Sequence, residues 1–152
     1  MYKTKDAAAL VGRILLASMF IISGVGKMGA FADTTVYMAS AGLPAIDPLL
    51  EYLLILTILV ELGGGTAIVF GWRTRSATVL IFLFTMLVTL VFHRFWSAPP
   101  DEAVAQQLMF MKNVSVMGGL MVLFAFGPGE YALDDKVRRR TTKRVAAILE
   151  ES

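Results

Sequence analysis

The sequence predicts an all-α membrane protein, a four-transmembrane-helix bundle with a short outer interfacial helix. Two observations carry this. Of the 152 residues, 57% are hydrophobic and only 17% charged, a balance too apolar for a water-soluble domain with one core. Four apolar runs, Ala7 to Gly26, Leu49 to Phe70, Ser76 to Trp96 and Gln107 to Phe126, each approach or exceed the ~20 residues that cross a bilayer as helix. Little chain is left outside them. Residues 1–135 therefore read as a single four-helix membrane domain, and residues 136–152 as a basic tail.

The basic residues are not spread evenly. Lys3 and Lys5 precede the first span, Arg73 and Arg75 lie between the second and third, and Lys136, Arg138, Arg139, Arg140, Lys143 and Arg144 crowd the tail. The other two loops carry Asp33 and Asp47, and Asp101 and Glu102. The positive-inside rule then puts both termini and the middle loop in the cytoplasm, the expectation for a multi-pass protein of a bacterial cell inner membrane. A basic tail beside a span is a topology and anionic-lipid signal rather than a nucleic-acid arm. Cysteine is absent, which removes disulfides, thiol redox relays and thiolate metal sites.

In the first span, Lys3, Lys5, the apolar run and Ala30-Phe31-Ala32 imitate a secretory signal with its cleavage site. Arg13 and Lys27 are foreign to such a segment, and the run is long for one, so it is expected to stay as a span. The loop from Met28 to Pro48 exceeds what a simple helix connection needs. Asp33 is expected to cap a short helix through Ser40, ended by Gly42 and Pro44, which offers Phe31, Val36, Tyr37 and Met38 to the interface as a lid or amphipathic connector.

At 100° per residue, each span shows one seam of small and polar residues. The first aligns Arg13, Phe20, Gly24 and Lys27; the second, Thr57 and Glu61 followed by Gly64 and Gly65; the third, Thr85, Thr89 and His93; the fourth, Lys112, Ser115 and Gly119. Polar groups in a membrane turn toward the bundle interior because lipid offers no partner, so the seams should converge. An ionisable side chain near mid-bilayer costs about 2.5–3.5 kcal/mol on insertion scales and marks a functional candidate.

Depth sorts the candidates. Arg13 and Glu61 lie about 9 and 15 Å from the cytoplasmic ends of their spans at 1.5 Å per residue, close enough to be expected as a buried ion pair or a proton-carrying couple. Lys27, His93, Lys112 and Asn113 fall in the outer third as ligand-binding candidates. Counted together, Arg13, Lys27 and Lys112 outnumber Glu61, so the interior reads as over-supplied with cations.

Weaker motifs fall away. Asn113-Val114-Ser115 matches a glycosylation acceptor but lies within a span. Met109, Met111, Met117 and Met121 do not share one face, as a Cu(I) thioether site would require, and methionine is common apolar filler. Gly63-Gly64-Gly65 follows no strand and forms no phosphate loop. The single histidine cannot supply paired haem ligation, and no flavin motif or metal site is evident in the sequence.

Arg13-Ile14-Leu15, Phe20, Ser23-Gly24, Gly26-Lys27, "YMASAGLP" from Tyr37, "VELGGGTAIVFGWRTR" from Val60, "FHRFW" from Phe92, "QQLMFMKNVSVMGG" from Gln106 and "FGPGEYALD" from Phe126 together resemble the DoxX family, in its short inner-membrane YqjF-like branch. The resemblance runs from about Asp6 to Asp134. It implies a four-helix inner-membrane protein tied to redox metabolism, with quinone as cofactor or partner. Relatives are labelled thiosulfate:quinone oxidoreductase or quinol oxidase subunits. The family's polar pattern falls on Arg13, Lys27, Glu61, His93, Lys112 and Asn113, the residues the seams select. The leading expectation is a quinone- or quinol-binding component of an oxidoreductase system, with the electron donor supplied by a redox-enzyme partner. The alternative is a non-enzymatic membrane scaffold or assembly partner of a redox complex. A small-solute transporter, lined by a homo-oligomer, ranks third.

Overall fold

A computed structural model describes residues 2–46, 48–137 and 141–142 of the chain. Its helices are α1 (Tyr2–Gly29), α2 (Phe31–Ser40), α3 (Leu49–Phe70), α4 (Thr74–Phe92) and α5 (Pro100–Phe126), with a 3-10 turn at Phe95–Ser97 between the last two. Four of them are long and apolar enough to cross a membrane. The chain thus has the four-helix membrane architecture expected, with α2 as the short fifth helix. Most of the basic tail, including Arg138, Arg139, Arg140, Lys143 and Arg144, lies outside the described residues, as does Asp47.

Helix order follows from short connections. α1 packs mainly on α3, α3 also on α4, and α4 on α5, while α5 touches α1 far less than it touches α4. Small residues set the close approaches. A Cβ on Gly64 would meet Ile81 Cδ1 of α4 at 2.5 Å, and one on Gly65 would lie 3.0 Å from Ile21 of α1. α3 is therefore glycine on both faces where its neighbours cross, the way helices close in lipid without a hydrophobic drive. On α4 the buried stripe is Thr74, Thr78, Ile81, Thr85 and Thr89. Three of the hydroxyls donate back along the helix: Thr78 to the Thr74 carbonyl, Thr85 to that of Ile81 (2.7 Å) and Thr89 to that of Thr85 (2.6 Å).

Three boundaries differ from expectation. α4 stops at Phe92 rather than continuing to Trp96, and His93 leaves helical geometry while its amide still bonds the Thr89 carbonyl at 3.1 Å. α2 starts three residues early, so Asp33 sits in its first turn beside the dipole instead of capping it; the N-cap is Ala30, with no side-chain bond. α5 begins at Pro100, seven residues before its apolar run. Proline at the start and Asp101 and Glu102 in the first turn favour that beginning.

At one end of the bundle the segment after α5 ties three elements together. Asp6 Oδ1 accepts the Glu130 amide at 3.0 Å, and the Asp134 amide donates to the Gly71 carbonyl at 2.9 Å. The Asp134 carboxylate accepts from the Arg73 amide, the Thr74 amide and the Thr74 hydroxyl, each at 2.7 Å. It thereby caps α4 from a distance, an anion on a helix N-terminus. Burial raises the Asp134 pKa, but the Thr74 and Arg73 hydrogen bonds with the nearby Arg13 charge outweigh it and hold the group below the ordinary carboxylate range. This is the termini end; the opposite one, capped by α2, is the α2 end.

Candidate functional site

α1 and α5 meet at Gly119, where an added Cβ would lie 3.2 Å from Leu16. Beyond that contact, toward the α2 end, the helices enclose a cavity of about 280 Å³. Lys27, Glu61, His93, Lys112 and Asn113 all line it. Five of the six candidates from the sequence are thus brought together, carried by α1, α3, the end of α4 and α5. Phe20, Phe84 and Phe92 supply apolar wall, and Thr34, Tyr37 and Met38 of α2 close the end. Tyr37 stacks on Phe92 with ring centroids 5.8 Å apart, and Arg94 donates to the Ala41 carbonyl at 3.1 Å. Buried Met38 packs in the cluster of Leu50, Leu54 and Ile58. α2 is held down as a lid by these contacts.

The charged centre is a pair that the sequence seams did not choose. Lys27 Nζ donates to both Glu61 oxygens at 2.9 Å, and Ser23 Oγ donates to Glu61 Oε1 at 3.1 Å while accepting a short bond from Lys27. The Glu61 side chain is 7% exposed and that of Lys27 25%. The ammonium and the hydroxyl fix the direction of the buried carboxylate.

Arg13 is not the partner of Glu61. It lies at the termini end, 1% exposed, with Nη2 donating to the Tyr131 carbonyl at 2.8 Å and Asp134 as its electrostatic neighbour. Its Nε and Nη1 have no hydrogen-bond partner. Gly71 makes room for it: that residue has φ +65°, and a Cβ there would sit 2.2 Å from Arg13 Nη1. Arg13 is therefore level with the α3–α4 turn, ten residues of α3 away from Glu61, about 15 Å at 1.5 Å per residue.

His93 Nδ1 is 3.0 Å from Gln106 Oε1, a contact with no signal in the sequence. Asn113 is buried and donates to Thr89 Oγ1 at 2.9 Å. This corrects the α5 seam: its buried stripe is Asn113, Leu120 and Leu123, because α5 packs on the threonine face of α4. Lys112, one residue around the helix, lines the cavity but is exposed overall, with Nζ 3.5 Å from Met109 Sδ. It sits at the rim rather than in the interior.

The DoxX family model matches residues 8–94, from α1 through the end of α4. The chain belongs to the DoxX family. This DoxX chain is 39% identical over 140 residues to the inner membrane protein YqjF of Escherichia coli K12, covering 92% of the chain and 99% of that protein. It is 35% identical over 125 residues to the inner membrane protein YphA of the same organism, covering 82% and 86%. A more distant likeness, 30% identity over 139 residues, is to the Surfeit locus protein 4 homolog of Drosophila melanogaster, of which it covers 43%. No solved structure matches it. With four bilayer-length helices and relatives of this kind, the chain is a multi-pass inner-membrane protein of the DoxX family. The matched region contributes Lys27, Glu61 and His93 to the cavity; Lys112 and Asn113 come from α5, beyond it.

Proposed function

We propose that the cavity binds a quinone or quinol head group, and that this chain is the quinone-binding component of a membrane oxidoreductase system. The observation that carries the reading is the convergence of Lys27, Glu61, His93, Lys112 and Asn113 on one cavity walled by aromatic side chains. Ligand sites are mostly apolar with a few placed polar groups, and about 280 Å³ suits a single ring whose tail stays in lipid. Bound quinone supplies two-electron, two-proton carrying capacity. The chain's own residues bind and orient: Lys112 offers a donor to one ring oxygen, His93, bonded to Gln106 through Nδ1, keeps Nε2 for the second, and Phe20, Phe84 and Phe92 exclude water. Glu61, fixed by Lys27 and Ser23, can hold or release a proton at its carboxylate. Electrons come from a partner enzyme in this reading.

Titration of nanodisc-reconstituted protein with ubiquinone and menaquinone analogues tests it. We expect saturable thermal stabilisation that is lost when Lys112→Ala and His93→Ala are combined. Variants that melt lower while neither quinone stabilises the native chain would sink the proposal. We also propose that the termini end faces the cytoplasm, supported by Lys5, Arg73, Arg75 and Lys136 near that end and by Asp101 and Glu102 near the other. A reporter that fluoresces only in the cytoplasm, fused after the last residue, should be bright; a dark fusion reverses the orientation.

A further inference from the structure

The cavity has a charge balance that narrows its ligand. Lys27 and Glu61 cancel within one ion pair. Arg13 belongs to the termini end, with Tyr131 and Asp134 as its neighbours, and takes no part. Glu61 is the one carboxylate among the lining residues. What remains is Lys112, whose polar contact among the described residues is the thioether of Met109 at 3.5 Å. A thioether is a weak acceptor and brings no charge. The ammonium therefore stands exposed at the rim of a mostly apolar cavity with no carboxylate against it.

Lys112 cannot borrow Glu61 without undoing the Lys27 pair, because both carboxylate oxygens already accept from Lys27 at 2.9 Å. Asn113 beside it spends its amide nitrogen on Thr89, and His93 is bonded to Gln106. The other polar groups of the lining, the hydroxyls of Thr57 and Tyr37 among them, bring no opposite charge. The site is thus built neutral at its floor and singly positive at its mouth.

We propose that the ligand of this cavity carries one negative charge on an aromatic or amphipathic body, as an acidic phenol or hydroxyquinone does when ionised, and that Lys112 reads that charge. This rests on the quinone reading for the identity of the ring, and on the charge balance alone for its sign. Lys112 is the specificity-determining residue: a neutral quinone fills the cavity but leaves the ammonium without a counter-ion, whereas an ionised oxygen makes a charge-assisted hydrogen bond there. The same chemistry has a second source, the phosphate of an anionic lipid reaching the exposed rim.

The experiment uses the full chain in phosphatidylcholine nanodiscs and three probes: 2-hydroxy-1,4-naphthoquinone, ionised at neutral pH; its neutral methyl ether; and 2-naphthoate, an aromatic anion without quinone oxygens. Affinity is read by thermal shift and by quenching of Trp fluorescence. We expect the hydroxyquinone to bind about tenfold tighter than the ether, the fold-change of one charge-assisted hydrogen bond. Lys112→Met should erase that preference and Lys112→Arg should keep it. Equal affinities for the hydroxyquinone and its ether would overturn the charge inference and leave the quinone reading standing. Binding of naphthoate, dependent on Lys112, with neither naphthoquinone bound would do the reverse. No binding by any probe overturns both. Loss of probe binding on adding phosphatidylglycerol to the discs would give Lys112 to a lipid phosphate and overturn the assignment to a cavity ligand.

Discussion

Lys27 and Glu61 show how position along a helix decides what an ion pair is worth. Glu61 lies mid-helix in α3 and is buried; Lys27 is two residues from the end of α1 and a quarter exposed. Lys27→Met strands a buried carboxylate with Ser23 alone, and we expect a loss of about 3 kcal/mol, the low end for breaking a buried pair. Glu61→Gln should cost less, because the lysine stem can swing its ammonium toward the interface. The double variant should lose less than the two losses added, since neither charge remains to be left unpaired; unfolding in nanodiscs followed by tryptophan fluorescence reads all three. Strict additivity would mean the two groups do not interact. At this scale the sequence was legible by type but not by partner. It named Lys27, Glu61, His93, Lys112 and Asn113, because ionisable and amide residues inside apolar runs are conspicuous. It pairs Arg13 with Glu61 because each depth is counted from its own helix end as if those ends were level, whereas Arg13 stands level with Gly71 at the end of α3 and the first turns of α1 reach past it. Gln106 and Tyr131 gave no signal: one is an ordinary polar residue near a helix start, and the other contributes only its carbonyl oxygen.

At the scale of the element, α3 holds the bundle through what it lacks. Its glycines let α1 and α4 approach from two sides, so their value depends on which face each occupies. Gly64→Ala places a methyl 2.5 Å from Ile81 Cδ1, and Ile81 is fully buried, so its side chain must shift within the core. Overpacking of this kind costs about 1–3 kcal/mol. Gly63→Ala meets nothing within 4 Å, so it should be neutral or gain up to about 1 kcal/mol from helix propensity. Ile81→Ala removes the obstructing atoms at a cost of its own, so Gly64→Ala should cost less in the Ile81→Ala background than in the native chain. The measurement is the melting temperature of the native chain, the three single variants and the double; a Gly63 variant as damaged as the Gly64 one would refute the packing account. Four spans were readable because length and hydropathy alone set them, and the buried faces of α1 and α3 followed from small and polar spacing. The face of α5 was misread by one residue, since Lys112 and Asn113 are both polar and only the packing of Asn113 against Thr89 tells which points inward. The end of α4 was hidden for a related reason: "HRFW" after Phe92 is apolar enough to prolong a span, while the turn there is decided by aromatic contacts among Phe95, Trp96 and Phe110.

The whole molecule is closed at the termini end by a segment that belongs to none of the spans. The residues after α5 reach Asp6 and Arg13 of α1, the carbonyl of Gly71 and the first amides of α4, so two helices distant from α5 in the chain share one anchor. Asp134 is the charged part of it. Burial works against its ionised form, and the Thr74 and Arg73 hydrogen bonds with the Arg13 charge win, leaving its pKa below that of an unfolded carboxyl. A depressed folded pKa stabilises the fold above the unfolded value of about 3.9. That contribution falls as pH drops through this value and is gone below the folded one. We expect Asp134→Ala to lose about 1–2 kcal/mol at neutral pH, as removal of a helix N-cap does, with a further part from leaving buried Arg13 without its neighbouring anion. The gap between the variant and the native chain should be constant above about pH 5, narrow as pH falls through the unfolded value, and close only below the folded one. Melting curves of both proteins across that range decide it. A gap that persists undiminished at the acid end would mean Asp134 acts by shape and not by charge, and that the two orphaned nitrogens of Arg13 are tolerated without its help.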